Sequence, residues 1–275
     1  MQEPTLPKFT LNRKGVIIMV LGAVIPVLLL NFFIICLKHT VHIAWDFNTA
    51  FVFTTLLMWL GTVFSFDYFV CRKHTHTKLN FNMSFTDLKT YGIVIPMTFG
   101  LVLMLEYITS LIPTTGDYFG ASYEKYTEAL RKIVSDPSTT LLLTVVIAPV
   151  FEEIVFRGII QKGLINKGVF PFYAIGFSAL VFGLVHGNPW QALGAVSLGS
   201  VFGFVYYKTG SLLLPILLHA LNNFVSAVLL LYRGYDTDFS DILEISKEKS
   251  FGIGLIVFII FLLFFNKKHN SGKVL

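Results

Sequence analysis

The sequence predicts an all-α, polytopic membrane protein, a bundle of about eight transmembrane helices in one domain spanning residues 1–275. Three observations predict it. Only 13% of the residues are charged and 55% are hydrophobic, against roughly 25% charged in an ordinary soluble domain. The mean hydropathy is +0.72. The apolar residues also fall into runs of membrane-crossing length, about 20 residues each. A content of 28 Phe suits lipid-facing helices better than one compact aqueous core. The net charge of +5 does not point to nucleic acid, because the basic residues sit in short clusters between apolar runs, as membrane orientation requires.

Those runs place spans near 15–37, 46–70, 91–112, 138–161, 170–187, 190–207, 211–232 and 251–265. The first is too long for a cleavable signal peptide and reads as a retained anchor. Cys36 and Cys71 fall at opposite ends of predicted spans, so geometry opposes a disulfide. Between spans three and four, Tyr123, Tyr126, Leu130, Ile133 and Val134 recur at helical spacing among charges. This predicts an amphipathic helix at the membrane interface, a packing cap rather than a substrate gate. Asp136-Pro137 predicts a cap and first turn for span four. Spans five and six are separated only by Gly187, Asn188 and Pro189, a stop followed by a proline suited to the next first turn. In span six, Gly194, Gly199 and Gly203 predict close helix packing. In span seven, Pro215 predicts a kink that aims His219.

Charge sets the predicted orientation. With the N-terminus in the cytoplasm, thirteen basic residues, among them Arg72, Lys162, Lys208 and Lys273, lie inside and seven lie outside. The imbalance favours both termini in the cytoplasm. Asp236, Asp238, Asp241 and Glu244 in the last outer loop agree with it, although acidic residues count for little in the rule.

Span four contains Glu152, Glu153 and Arg157 in an otherwise apolar stretch. One charged side chain at mid-helix costs about 2.5–3.5 kcal/mol even on the lenient insertion scale. Glu153 and Arg157 stand four apart, acid first, the favourable order for an ion pair on one helix face. Glu152 points about 100° away and lacks a local counter-ion. Pro149, just upstream, removes a helix hydrogen bond and predicts a kink with polar access. Span five ends at His186, and span seven carries His219 and Asn223 on one face. Each of these polar positions lies about 18–24 Å from the inner end of its helix. Three helices therefore bring polar groups to one level inside the bilayer, which predicts a functional site. His39, His42, His74, His76 and His269 lie near span ends or in loops, and His74-x-His76 is too sparse for a metal site.

Glu-Glu-x-x-x-Arg at 152–157, Phe-x-x-x-His at 182–186 and His-x-x-x-Asn at 219–223, in this order on successive spans, resemble the signature of the CAAX-protease and bacteriocin-processing family of intramembrane proteases. The resemblance covers about 138–232, the predicted catalytic core. It implies that Glu152 with His186 activates a water molecule, that His219 with Asn223 stabilises the tetrahedral intermediate, and that Glu153 and Arg157 organise the site. If zinc is used, Glu152, His186 and His219 are its candidate ligands, with one position left for water. The same residues suffice for a metal-free glutamate mechanism, and no obligatory structural zinc is expected.

The expected function is hydrolysis of a peptide bond in a membrane-associated peptide or protein, either a prenylated CAAX substrate or a bacteriocin or signal-peptide precursor. The expected location is a bacterial plasma membrane. The alternative is a non-catalytic membrane protein that binds through the polar cluster, in immunity or regulation. A transporter with a buried Glu/His relay would show inverted repeats or paired broken helices, and the sequence has neither.

Overall fold

The computed structural model describes residues 8–234 and 237–270. Among them the regular structure is all helical: α1 (Arg13–Thr40), α2 (Phe47–Thr75), α3 (Leu88–Ser110), α4 (Phe119–Val134), α5 (Pro137–Asn166), α6 (Pro171–Leu184), α7 (Pro189–Thr209), α8 (Leu213–Arg233), α9 (Phe239–Ile242) and α10 (Lys247–Lys268). Asp236, Lys273 and the side chains of Ile133 and Val134 lie outside the described residues. The helix starts follow from short polar side chains. Asn12, Asp46, Asp87, Asp136 and Ser246 each accept hydrogen bonds from first-turn backbone N–H groups, which an isolated helix end leaves unpaired. The Thr139 hydroxyl and two backbone N–H groups hold the Asp136 carboxyl below the usual carboxylate range.

All eight expected spans are helices, and they differ in length and hydropathy. Six are long and apolar enough to cross a membrane: α1, α2, α3, α5, α8 and α10. With 14 residues, α6 covers about 21 Å, short of the roughly 30 Å hydrocarbon core. Its partner α7 has 21 residues but is interrupted by Ser197, Ser200 and three glycines, and falls outside the six. These two helices pack on each other as a hairpin, joined by the turn at His186–Asn188. A turn between apolar helices leaves backbone groups that have to be satisfied internally. Asn188 does this: its amide donates to the His186 carbonyl at 3.1 Å, and its Oδ1 accepts from Gln191 N at 2.9 Å.

Helices in lipid have little hydrophobic drive to associate and rely on close contact at small residues. At the α3–α10 crossing, a Cβ on Gly254 would lie 2.5 Å from the Gly100 carbonyl oxygen, and a Cβ on Gly100 would lie 2.8 Å from that of Gly254. Gly22 and Gly61 do the same for α1 and α2. In α7, a Cβ on Gly199 or Gly203 would crowd Arg157 and Gln161 of α5, whereas Gly194 has open space beside it. The packing expectation therefore fails at Gly194. The kink expected at Pro215 also fails, because α8 begins at Leu213 and a proline in the first turn removes no helical hydrogen bond.

The end of the bundle that carries the N-terminus is closed. Phe9 and Leu11 are buried beneath α5, where Leu11 N donates to the Gly163 carbonyl at 3.2 Å and the Asn166 amide to that of Phe9 at 2.9 Å. The α2–α3 loop adds Phe81, whose ring occupies the space beside Gly158. At the opposite end lies α4, the expected amphipathic helix. Its Phe119, Tyr123 and Tyr126 all pack on Trp190 in the first turn of α7.

Gly254→Leu should force the α3–α10 crossing apart and lower stability by about 1–3 kcal/mol, the usual cost of overpacking. Gly252→Leu on the same helix, where a Cβ meets nothing within 4 Å, should leave the melting temperature unchanged in thermal unfolding of the detergent-purified protein.

Candidate active site

The backbone of α5 is not a regular α-helix around the paired glutamates. π-helical turns occupy Leu142–Ile147 and Ile154–Gln161, flanking an α-helical stretch from Ala148 to Glu153. The first turn has a cause in sequence. In the π register, Ala148 N donates to the Leu143 carbonyl, and the next acceptor, Thr144, would need an N–H at position 149. Pro149 has none. The Thr144 carbonyl is taken instead by the Asn223 amide of α8, at 2.8 Å. The disruption expected at Pro149 thus becomes an inter-helix hydrogen bond that fixes Asn223 against α5.

Glu153 and Arg157 pair as expected, Arg157 Nη1 to Glu153 Oε1 at 2.9 Å, both side chains with no exposed surface. The guanidinium also lies over the rings of Phe182 at 4.7 Å and Phe202 at 5.8 Å, so cation–π attraction replaces part of its lost hydration. The same Glu153 oxygen receives His219 Nδ1 from α8 at 2.9 Å. One carboxylate oxygen therefore joins an arginine on its own helix to a histidine on another.

Glu152 lies on the adjoining face, 16% exposed, with Oε2 at 3.7 Å from His219 Nε2. No counter-ion reaches it from α5, as the spacing predicts; its nearest titratable neighbour, His219, comes from α8, three helices on. His186, just past α6, places Nδ1 at 2.8 Å from the Phe182 carbonyl. A carbonyl only accepts, so Nδ1 carries the proton, and a neutral ring keeps the Nε2 lone pair free. The Phe182 ring makes edge contacts with both imidazoles, at 5.1 Å to His186 and 5.7 Å to His219.

The structure thus brings Glu152, Glu153, Arg157 and His219 into direct contact, ties Asn223 to α5 and joins His186 to the group through Phe182. Glu152 and His186 share no direct hydrogen bond among the described residues. Four groups escaped the sequence reading. Gln161 continues the 153–157 spacing by four more residues and donates to the Gly203 carbonyl at 2.8 Å, so spacing alone would have found it. Phe202, the Thr144 carbonyl and Asn188 carried no signal. As placed, the donors do not fit a zinc site. No group of three or more His, Cys, Asp or Glu among the described residues is placed to hold a metal ion.

Residues 135–225, about a third of the chain, match the family model described as type II CAAX prenyl endopeptidase, Rce1-like. All three motifs lie inside that match. No curated protein and no solved structure matches the chain. The family is one of proteases, and the six apolar helices make this a multi-pass membrane protein.

Removing one member of a buried ion pair strands the other, at a cost of about 3–5 kcal/mol. Arg157→Met should show a loss of this size in reversible unfolding of the micellar protein. The double variant Glu153→Leu/Arg157→Met should be less destabilised than Arg157→Met alone, because no unpaired carboxylate then remains beside residue 157.

Proposed function

We propose that the chain is an intramembrane endopeptidase that cuts a membrane-associated peptide by glutamate-activated water, with Glu152, His186, His219 and Asn223 as catalytic residues and Glu153 and Arg157 as positioning residues. One observation carries the reading. His219 is held through Nδ1 by a buried carboxylate that is itself neutralised by Arg157, which leaves Nε2 directed to the level of Glu152.

Each step follows from the protonation that the contacts impose. Glu152 accepts a proton from water as the water oxygen attacks the scissile carbonyl, and the free Nε2 of His186 accepts the second water hydrogen as a hydrogen bond. With Nδ1 bound to Glu153, His219 turns Nε2 towards the developing oxyanion, where an Nε2–H donates. Asn223 spends one amide hydrogen on Thr144 and offers the other. Preorganised donors of this kind contribute most where water is excluded. Glu152 then returns its proton to the leaving amine as the carbon–nitrogen bond breaks.

Substrate class follows from location. A site at membrane depth acts on a peptide that the bilayer presents, a prenylated carboxy-terminal peptide or a bacteriocin or signal-peptide precursor. The charge count favours both termini in the cytoplasm.

The test is cleavage of both peptide classes by the detergent-purified protein, read by mass spectrometry. Glu152→Gln should lower the rate by about 10²–10⁴-fold, and Asn223→Ala by about 10²–10³-fold, with helicity unchanged. Cleavage should persist in the presence of a zinc chelator; its loss there would assign the activation of water to a metal. Full activity of Glu152→Gln in cells would replace the peptidase reading with the non-catalytic binding protein.

A further inference from the structure

A second polar feature lies at the α4 end of the bundle, away from the ion-paired cluster. A cavity of about 360 Å³ opens between the end of α3, the helix α4, the first turn of α7 and the start of α10. Glu106, Tyr123, Tyr126, Trp190, Asp238 and Lys247 contribute to its wall. Trp190 stands four residues beyond His186, on the turn that Asn188 braces. The opposite end of the bundle is filled by Phe9, Leu11 and Phe81, so this cavity and the turn that follows His186 share one end of the bundle.

Its chemistry is that of a cation site. Two carboxylates face one ammonium, and that ammonium is already taken, since Lys247 Nζ pairs with Asp238. Glu106 is held in place by α9, where Phe239 N donates to Oε1 at 2.8 Å and Ser240 N to Oε2 at 3.4 Å. Each oxygen accepts one hydrogen bond and keeps a second acceptor direction. Beside it, Tyr126 stacks on Trp190 at 5.9 Å and 11°, with Tyr123 edge-on to the indole at 4.9 Å. Aromatic faces next to an excess carboxylate are the pairing that attracts organic cations.

We infer that this cavity is a subsite for a positively charged flank of the peptide substrate, a Lys or Arg side chain or a free α-ammonium group. It deepens the peptidase reading and rests on it for the nature of the ligand. Occupancy anchors the peptide beside Trp190, on the helix turn that follows His186.

The test is equilibrium binding, which needs no turnover. The full chain is placed in nanodiscs of phosphatidylcholine, a lipid without net charge. Binding is read by fluorescence anisotropy with two labelled ten-residue peptide amides, one carrying two lysines and the other glutamines at the same positions. The lysine peptide should bind about fivefold or more tightly than the glutamine peptide, and the preference should shrink as salt screens the carboxylate. Glu106→Gln, which keeps an acceptor for the α9 backbone, and Trp190→Leu should each reduce the preference to below about twofold. Glu152→Ala should retain it, so a failed cleavage assay and a failed subsite give different results. Equal binding of the two peptides to the wild type, or a preference that survives both cavity substitutions in protein of wild-type melting temperature, would overturn the assignment.

Discussion

An arginine with no solvent exposure, set in the middle of a lipid-spanning helix, has to be neutralised by something within the same fold. Around Arg157 that requirement organises the core. Glu153 supplies the countercharge, Phe182 and Phe202 cover the guanidinium, and Gly199 leaves α7 without the side chain that would collide with it. Because Glu153 also holds His219, the ion pair is more than a local matter of α5. It fixes the rotation of α8 relative to α5, and with it the imidazole that faces Glu152.

The α6–α7 hairpin answers a second constraint. By stopping after 14 residues, α6 leaves His186 on the turn that leads into α7. A helix stop followed at once by a helix start leaves backbone polar groups without helical partners. Asn188 meets the need with one side chain, by bonding the carbonyl that ends the first helix and capping the second.

Much of this was legible in the sequence. Charges in an apolar run call for compensation in a bilayer, so Glu152, Glu153 and Arg157 announced a buried polar cluster, and spacing of four paired the last two correctly. The helix start at Asp136 followed from capping chemistry, and that of α7 from the proline at 189. What failed did so for definable reasons. Apolar runs reveal helices but not their exact ends, so the shortness of α6 was not apparent. Gly194 resembles Gly199 and Gly203 in sequence, yet it lies on the face of α7 that meets nothing. The partner of Glu152 comes from α8, and no spacing rule within α5 could name it. The π turns of α5 were foreshadowed only by Pro149, and the partner of the freed carbonyl only by the asparagine that accepts the task.

The segment at residues 8–12 has a meaning for biosynthesis. Its docking partners, Gly163 and Asn166, emerge from the ribosome more than 150 residues after it. At synthesis rates of about 5–20 residues per second, that is a wait of roughly 8–30 seconds. During that interval Phe9 has its contact with Phe66 of α2 but lacks its partners on α5, and that end of the first helix hairpin stands unsealed. Closure of that end is therefore a late event in assembly, reached only when α5 has been threaded, and it joins residues 9 and 11 to the helix that carries the paired glutamates.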